Sequence, residues 1–324
     1  MIDPTPIYDA ATAFWKSSAL FAACRVGLFD ALNEPAKAED LAKQLDLSER
    51  GALALLDACV ALDLLEKNEG IYSNTPTGKR YLTSTSPESL LVTLELQANT
   101  YPMWMNLSES VKKGQPAIPP QDLLGGDREL TRQFVVGMHQ RALGIAESLV
   151  NVVDLSGCRL MADIGGGPGT YSTMILKRYP ELRSRIFDLA PIQEVAKALV
   201  STSGVADRIE MIPCDATADD FGDGYDAALI SGLLHRMTPE ICQNILEKVY
   251  TGMESGGKLV LNDLFTLDGK PALAVLFGLQ FLLTNETGGT HDAGDMAAWT
   301  SDAGFEDVQI TAMFPYMFIT ARKA

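Results

Sequence analysis

Leu160-Met161-Ala162-Asp163-Ile164-Gly165-Gly166-Gly167-Pro168-Gly169-Thr170-Tyr171 is the stretch on which the fold turns. An apolar strand runs into a glycine-rich turn, and the turn opens a helix. Glycines at 165, 167 and 169 let the backbone turn tightly and approach a bound molecule with no Cβ in the way. The dinucleotide fingerprint G-x-G-x-x-G would place its third glycine at 170. Thr170 stands there, and Gly169 comes one residue early.

Downstream, apolar runs at 159–164, 185–189, 209–213, 226–231 and 258–263 alternate with helical stretches. That alternation predicts a doubly wound α/β domain, a parallel sheet covered by helices on both faces. The end differs. Residues 307–313 and 316–321 are extended and separated only by Phe314-Pro315, so they are expected to pair as an antiparallel hairpin. A parallel sheet finished by a reversed hairpin is more typical of methyltransferases than of dinucleotide oxidoreductases.

Upstream, residues 13–32 have helical periodicity, 39–42 start another helix, and Ser48 is a good N-cap for a helix over 51–65. Leu53, Leu56, Cys59, Val60 and Leu64 would share one side of that helix. Residues 67–74 carry Asn68-Glu69-Gly70 between two extended pieces, a hairpin signal. Helices followed by a hairpin in this order describe a winged helix. Glu49, Asp57, Asp63 and Glu66 stand against only Arg50 and Lys67, so the module lacks the phosphate-neutralising charge of a DNA reader. A structural or dimerisation role fits better. Residues 87–150 are helical again, with patches at Tyr101-Pro102-Met103-Trp104-Met105 and at Phe134, Met138 and His139. These patches suit core packing and suit equally the roof of a pocket for a flat aromatic substrate, with Trp104 and Met138 as contacts. The expected organisation is a winged-helix domain over 1–85, a helical pocket region over 86–150 and the α/β domain over 151–324.

Bulk properties narrow the partners. With 42 acidic and 26 basic side chains the formal net charge is -16, which repels phosphate backbones and anionic lipid. Nucleic acid and membrane are therefore not expected as partners. The longest apolar run, 272–283, contains Gly278 and Gln280 and is too short to span a bilayer. No basic segment followed by an apolar stretch opens the chain, so no signal peptide is expected. Five scattered cysteines without a C-x-x-C pair read as buried free thiols in a reducing cytoplasm. Three histidines with no shared spacing argue against a metal site.

Acids mark the strand ends. Asp163 precedes the glycine turn, Asp188 ends the next strand where an acid accepts ribose hydroxyls, and Asp215 ends the third, placed to meet an adenine amino group. Together they would form a negative rim that repels pyrophosphate and welcomes a sulfonium carrying an ammonium group. The competing role for each is to cap the following helix. His235 follows the fourth strand at the carboxyl edge of the sheet, with an ordinary pKa of about 6.5 that suits a general base. Asp263 ends the fifth strand next door and could hold its other N–H.

The ordered set of motifs resembles the acetylserotonin and caffeic acid type O-methyltransferases and their bacterial antibiotic and pigment relatives. It comprises Leu20-Phe21-Ala22-Ala23-Cys24-Arg25-Val26-Gly27-Leu28-Phe29-Asp30, Asp63-Leu64-Leu65-Glu66-Lys67 with Tyr72-Ser73-Asn74-Thr75, Asp163-Ile164-Gly165-Gly166-Gly167, Phe187-Asp188-Leu189 and Leu233-Leu234-His235. The resemblance spans nearly the whole chain. It implies a class I methyltransferase sheet, a winged-helix dimerisation domain, a homodimer and S-adenosyl-L-methionine as cofactor, released as S-adenosyl-L-homocysteine. By motif position it implies cofactor contacts at Gly165, Asp188, Asp215, Ala216 and Ser231, beside Asp163 and Gly167 expected from the loop itself, and places the family's catalytic base at His235. Gln280 and Thr284, at i and i+4 on one helix face, fall where relatives carry substrate-binding polar residues. Three departures stand out: Asp263 where relatives usually carry Glu, His291 near a second supporting acid, and Arg236 where Asp usually follows the histidine. The charge of Arg236 is expected to lower the pKa of His235 and to alter acceptor preference.

Three functions fit these residues. The first is methyl transfer to a hydroxyl of a small flat aromatic. The second is decarboxylation or hydroxylation supported by bound S-adenosylmethionine without net methyl transfer. The third is a transcriptional regulator with a degenerate methyltransferase domain.

Overall fold

The computed structural model describes residues 3–118, 124–313 and 316–324. The chain divides into two units between Thr100 and Tyr101, inside the segment 86–150 that the sequence sets apart.

The first unit opens with α1 (Thr5–Arg25) and α2 (Leu28–Ala31), followed by β1 (Ala36–Lys37), α3 (Ala38–Gln44) and α4 (Glu49–Ala61). The helix expected over 13–32 begins earlier and is broken at Gly27, whose φ of 71° ends α1 and caps α2. Ser48 caps α4 as expected, its Oγ accepting the Gly51 N–H at 3.1 Å. The helix stops at Ala61, short of Leu65, because Asp63 takes a left-handed φ of 56° and Leu65 enters a strand. Its buried side is Ala52, Leu56 and Cys59, whereas Leu53 is 45% exposed. β2 (Leu65–Asn68) and β3 (Ile71–Asn74) form the expected hairpin. Its two-residue turn, Glu69-Gly70, has positive φ at both positions, the geometry that matches strand twist. β1 pairs with β3 to complete a three-stranded sheet, and Asp57 of α4 accepts from Tyr72 at 2.7 Å and Lys67 at 2.8 Å. Helix, hairpin and core (Phe29, Leu41, Leu56, Cys59, Tyr72) make the winged-helix arrangement. Then follow α5 (Pro76–Tyr81) and α6 (Leu91–Trp104), the latter crossing the boundary between the units.

The second unit continues with α7 (Leu107–Lys113), α8 (Arg128–Val152), β4 (Leu160–Ile164), α9 (Thr170–Arg178), β5 (Arg183–Asp188), α10 (Ala190–Ser201), β6 (Ile209–Pro213) and β7 (Tyr225–Ser231). It ends with α11 (Pro239–Gly252), β8 (Met253–Asp263), α12 (Ala272–Thr284), α13 (Ala293–Asp302), β9 (Glu306–Met313) and β10 (Tyr316–Arg322). The sheet order is β6-β5-β4-β7-β8-β10-β9. β4 to β8 are parallel, and β10 runs antiparallel to β8 and β9, so the hairpin is present although Phe314-Pro315 lie outside the described residues. Strand residues alternate strictly between two cores. Met161, Ala227, Leu229, Val260 and Phe318 pack toward Leu149 of α8 and Ile175 of α9. Ala162, Ala228, Ile230, Leu261 and Ile319 face Ile245 and Leu246 of α11 and Met296 of α13. Each large side chain so buried contributes about 1.5–3 kcal/mol.

Order reverses between β4 and β7, and ligands of such sheets bind beyond the carboxyl ends at the reversal. Register brings Ser231 level with Asn262 and Asp188 level with Pro213, while Asp263 meets Met317 of the reversed strand. Among the described residues no helix is long and apolar enough to cross a membrane.

Candidate active site

The glycine turn and the end of β5 form one half of the site. Asp188 accepts the Gly167 N–H through Oδ2 at 2.7 Å and its neighbour's N–H, from Leu189, through Oδ1 at 2.7 Å. Burial pushes its carboxyl up, and the two N–H groups and the charge of Arg236 pull it back. Gly167 has a φ of 53°, and a Cβ built there would meet nothing nearer than Asp188 Oδ2 at 3.9 Å. The turn therefore leaves an open cradle beside an acid. Gly165 lies under Leu233 in the same turn.

The three acids do not form a shared rim. Asp163 is 1% exposed and sits behind the turn, its Oδ2 accepting from Ser172 at 2.6 Å. Burial, opposed by Ser172 and reinforced by Asp188, pushes its carboxyl up to about 7. Asp215 is exposed and closes its own turn, taking the Thr217 N–H and hydroxyl at 2.9 and 2.7 Å. Those bonds hold its carboxyl below the ordinary carboxylate value. Ala216 follows, half-buried against the α11 core. Asp188 alone of the three bonds the open side of the glycine turn, at Gly167, while Asp163 packs behind Gly166.

The other half is built on the ends of β7 and β8. His235 is 7% exposed, and its Nδ1 lies 2.7 Å from Asp263 Oδ1, which also accepts the Leu264 N–H. Burial would raise the Asp263 carboxyl, but the imidazole's charge and hydrogen bond outweigh it and hold the carboxyl below its ordinary value. Nδ1–H donated to this carboxylate leaves Nε2 as the ring's acceptor. Phe281 packs on the imidazole at 4.8 Å and Phe277 meets it edge-on at 5.4 Å. Ser231 turns toward this half, accepting from Asn262 Nδ2 at 2.8 Å and bonding the Tyr171 phenol.

Two of the departures have defined surroundings. His291 donates from Nε2 to the Leu234 carbonyl at 3.1 Å, and so pins the backbone before His235 without touching its ring. The Gly289 N–H fixes the His235 carbonyl from the same loop at 2.8 Å. Arg236 is half-buried, and the acid whose field it feels is Asp188. Of the substrate candidates, Thr284 donates back to the Gln280 carbonyl at 2.8 Å, which occupies its hydroxyl within the helix. Gln280, Trp104 and Met138 are half-buried, with no described hydrogen bond or ring contact to His235. Sequence reading missed Phe277 and Phe281, although they show the same i, i+4 spacing as Gln280 and Thr284. It also missed Arg141, whose guanidinium lies over the Phe277 ring at 5.8 Å. His139, named with Phe134 and Met138, bonds Thr170 at the start of α9 at 2.8 Å.

Residues 104–306 match the O-methyltransferase domain family, and residues 8–84 match the O-methyltransferase dimerisation domain. The 3-hydroxy-5-methyl-1-naphthoate 3-O-methyltransferase of Streptomyces sahachiroi is 31% identical over 316 residues, covering 94% of this chain and 90% of that protein. Acetylserotonin O-methyltransferase of Bos taurus is 30% identical, covering 93% of this chain and 92% of that protein. Human N-acetylserotonin methyltransferase in complex with SAM superposes with a TM-score of 0.88 at 28% identity, covering 99% of this chain and 97% of that one. The chain belongs to the S-adenosylmethionine-dependent O-methyltransferases and carries the family's dimerisation domain ahead of its catalytic one.

Proposed function

We propose that this O-methyltransferase acts on a hydroxyl of a small flat aromatic, with His235 as general base and Asp263 as the group that orients it. The observation that carries this is the buried His235–Asp263 pair, 2.7 Å apart, walled by Phe277 and Phe281. Relatives named for a hydroxynaphthoate and for acetylserotonin support an aromatic acceptor. A phenol with a pKa of about 10 is mostly protonated at neutral pH, so a base at its proton raises the share of reactive oxygen. Asp263 holds Nδ1–H, and Nε2 takes the phenolic proton. The two phenylalanines exclude water and give the acceptor ring apolar faces to pack on.

The cradle at Gly167 with Asp188 beside it fits S-adenosylmethionine, since the open backbone there admits the nucleoside and the acid accepts ribose hydroxyls, while Gly165 of the same turn packs under Leu233. Ala216 and Asp215 would lie toward the adenine. Bound S-adenosylmethionine supplies an electrophilic methyl, its C–S bond breaking as the acceptor oxygen bonds the carbon, with the electron pair left on sulfur in S-adenosylhomocysteine. Free thiols at all five cysteines support a reducing, cytoplasmic setting. The dimerisation domain and the exposed apolar residues of α1 support a homodimer.

The test is a coupled S-adenosylhomocysteine assay across phenols, indoles and quinols, with His235→Ala beside the wild type. Turnover should fall by about 10²–10⁴-fold while S-adenosylhomocysteine still binds with wild-type heat. Equal loss of both would make His235 structural. Consumption of substrate by the wild type without S-adenosylhomocysteine release would exclude net transfer.

A further inference from the structure

The second unit holds a cation that the mechanism above does not use. Arg141 is half-buried on α8, its guanidinium over the face of Phe277 at 5.8 Å. The same Phe277 ring meets His235 edge-on at 5.4 Å, so one phenylalanine links the cation to the base. The field of Arg141 reaches two phenols. Burial pushes the Tyr171 hydroxyl up to about 12, and the Ser231 bond and the charge of Arg141 pull against that rise. Burial also raises Tyr316, again opposed by Arg141 and here reinforced by Asp263. Tyr316 thus lies in the fields of both Arg141 and the acid that holds His235.

Among the described residues Arg141 makes no ion pair. In a chain with 42 acidic and 26 basic side chains, a half-buried guanidinium beside the reaction centre is left without a carboxylate among the described residues. The π face of Phe277 stabilises it only in part. A planar fork of five N–H donors is matched best by a carboxylate held bidentately. Beside the apolar face of His235, Phe277 and Phe281 the site therefore carries the cation of Arg141, whose field reaches the Tyr171 and Tyr316 phenols.

We propose that Arg141 is a specificity residue that selects an aromatic acceptor bearing a ring carboxylate, pairing with that carboxylate while the acceptor hydroxyl faces His235 Nε2. This rests on the aromatic-acceptor function proposed above and names its substrate class. The competing anion is the amino-acid carboxylate of the cofactor, and the experiment separates the two.

The test uses the full-length enzyme with matched acceptors, a hydroxynaphthoate and the corresponding hydroxynaphthamide, read by S-adenosylhomocysteine release. Wild type should favour the carboxylate in kcat/KM by about 10- to 100-fold. Arg141→Gln should erase that preference through a raised KM for the carboxylate, leave turnover of the amide within about threefold, and bind S-adenosylhomocysteine with unchanged affinity. Arg141→Lys should restore part of the preference. Equal turnover of both acceptors by wild type, or equal loss of both in Arg141→Gln, overturns the assignment. Loss of S-adenosylhomocysteine affinity with selectivity intact overturns it in favour of the cofactor carboxylate. If wild type methylates no aromatic acceptor of any charge, the aromatic-acceptor function itself falls. Activity on phenols without carboxylate preference leaves that function standing and removes only the role of Arg141.

Discussion

Asp163 and Asp263 are both buried carboxyls near strand ends, yet they titrate in opposite directions. Asp263 has an imidazole at 2.7 Å and stays ionised, whereas Asp163, with no cation and the like charge of Asp188 in its field, is pushed by burial up to about 7. A carboxyl with a raised folded pKa binds its proton more tightly folded than unfolded. Its stabilisation is full below the ordinary value of 3.8 and is lost as pH rises toward 7. Unfolding free energy should therefore decline by ~1.4 kcal/mol per pH unit across that window on account of Asp163. Asp163→Asn should remove this component, so the stability of wild type relative to the variant should shrink between pH 5 and pH 8. Urea melts at both pH values check it, and a pH-independent difference would contradict it. At this scale the sequence marks His235 and Asp263 by their places after adjacent strands. It cannot mark Arg141, because a lone arginine in an amphipathic helix resembles any solvated one until α12 lies across it.

Among elements, the glycine turn between β4 and α9 has the clearest division of labour. Gly166 is boxed in, since a Cβ there would stand 2.7 Å from Asp163 Cγ, whereas Gly167 opens onto the cradle. Gly167→Ala would cost about 1–2 kcal/mol of left-handed strain and would also put a methyl into the cofactor's space. Gly256→Ala is the matched control, with a φ of 79° and nothing within 4 Å. Both variants should lose similar stability, but only Gly167→Ala should lose S-adenosylhomocysteine affinity, by about tenfold or more in calorimetry. Equal affinities would mean that the turn shapes the backbone without lining the cofactor. Periodicity located most elements to within a few residues. Where it failed, at Gly27 and at Asp63, a single positive φ ended a helix that side-chain pattern would have continued.

Across the whole molecule, charge and exposed apolar surface set how copies of the chain meet. Ile7, Tyr8, Phe14 and Trp15 of α1 are all at least half exposed, a cost in water that a partner surface would remove. Light scattering should give twice the chain mass of 35.0 kDa, and Phe14→Asp with Trp15→Glu should shift the equilibrium toward monomer. A wild type that runs as a monomer at micromolar concentration would refute the homodimer. The sequence by itself determined the sheet, its reversed hairpin, the winged helix and the family, because these follow from periodicity and short motifs that are local in the chain. Only the tertiary structure decided which acids face the glycine turn, that His291 holds backbone and not the imidazole, and that Arg141 and Phe277 meet beside His235. Those outcomes depend on side-chain direction and on packing between residues distant in the chain, from 21 positions for Gly167 and Asp188 to 57 for Leu234 and His291 and further for Arg141 and Phe277, which no local pattern encodes.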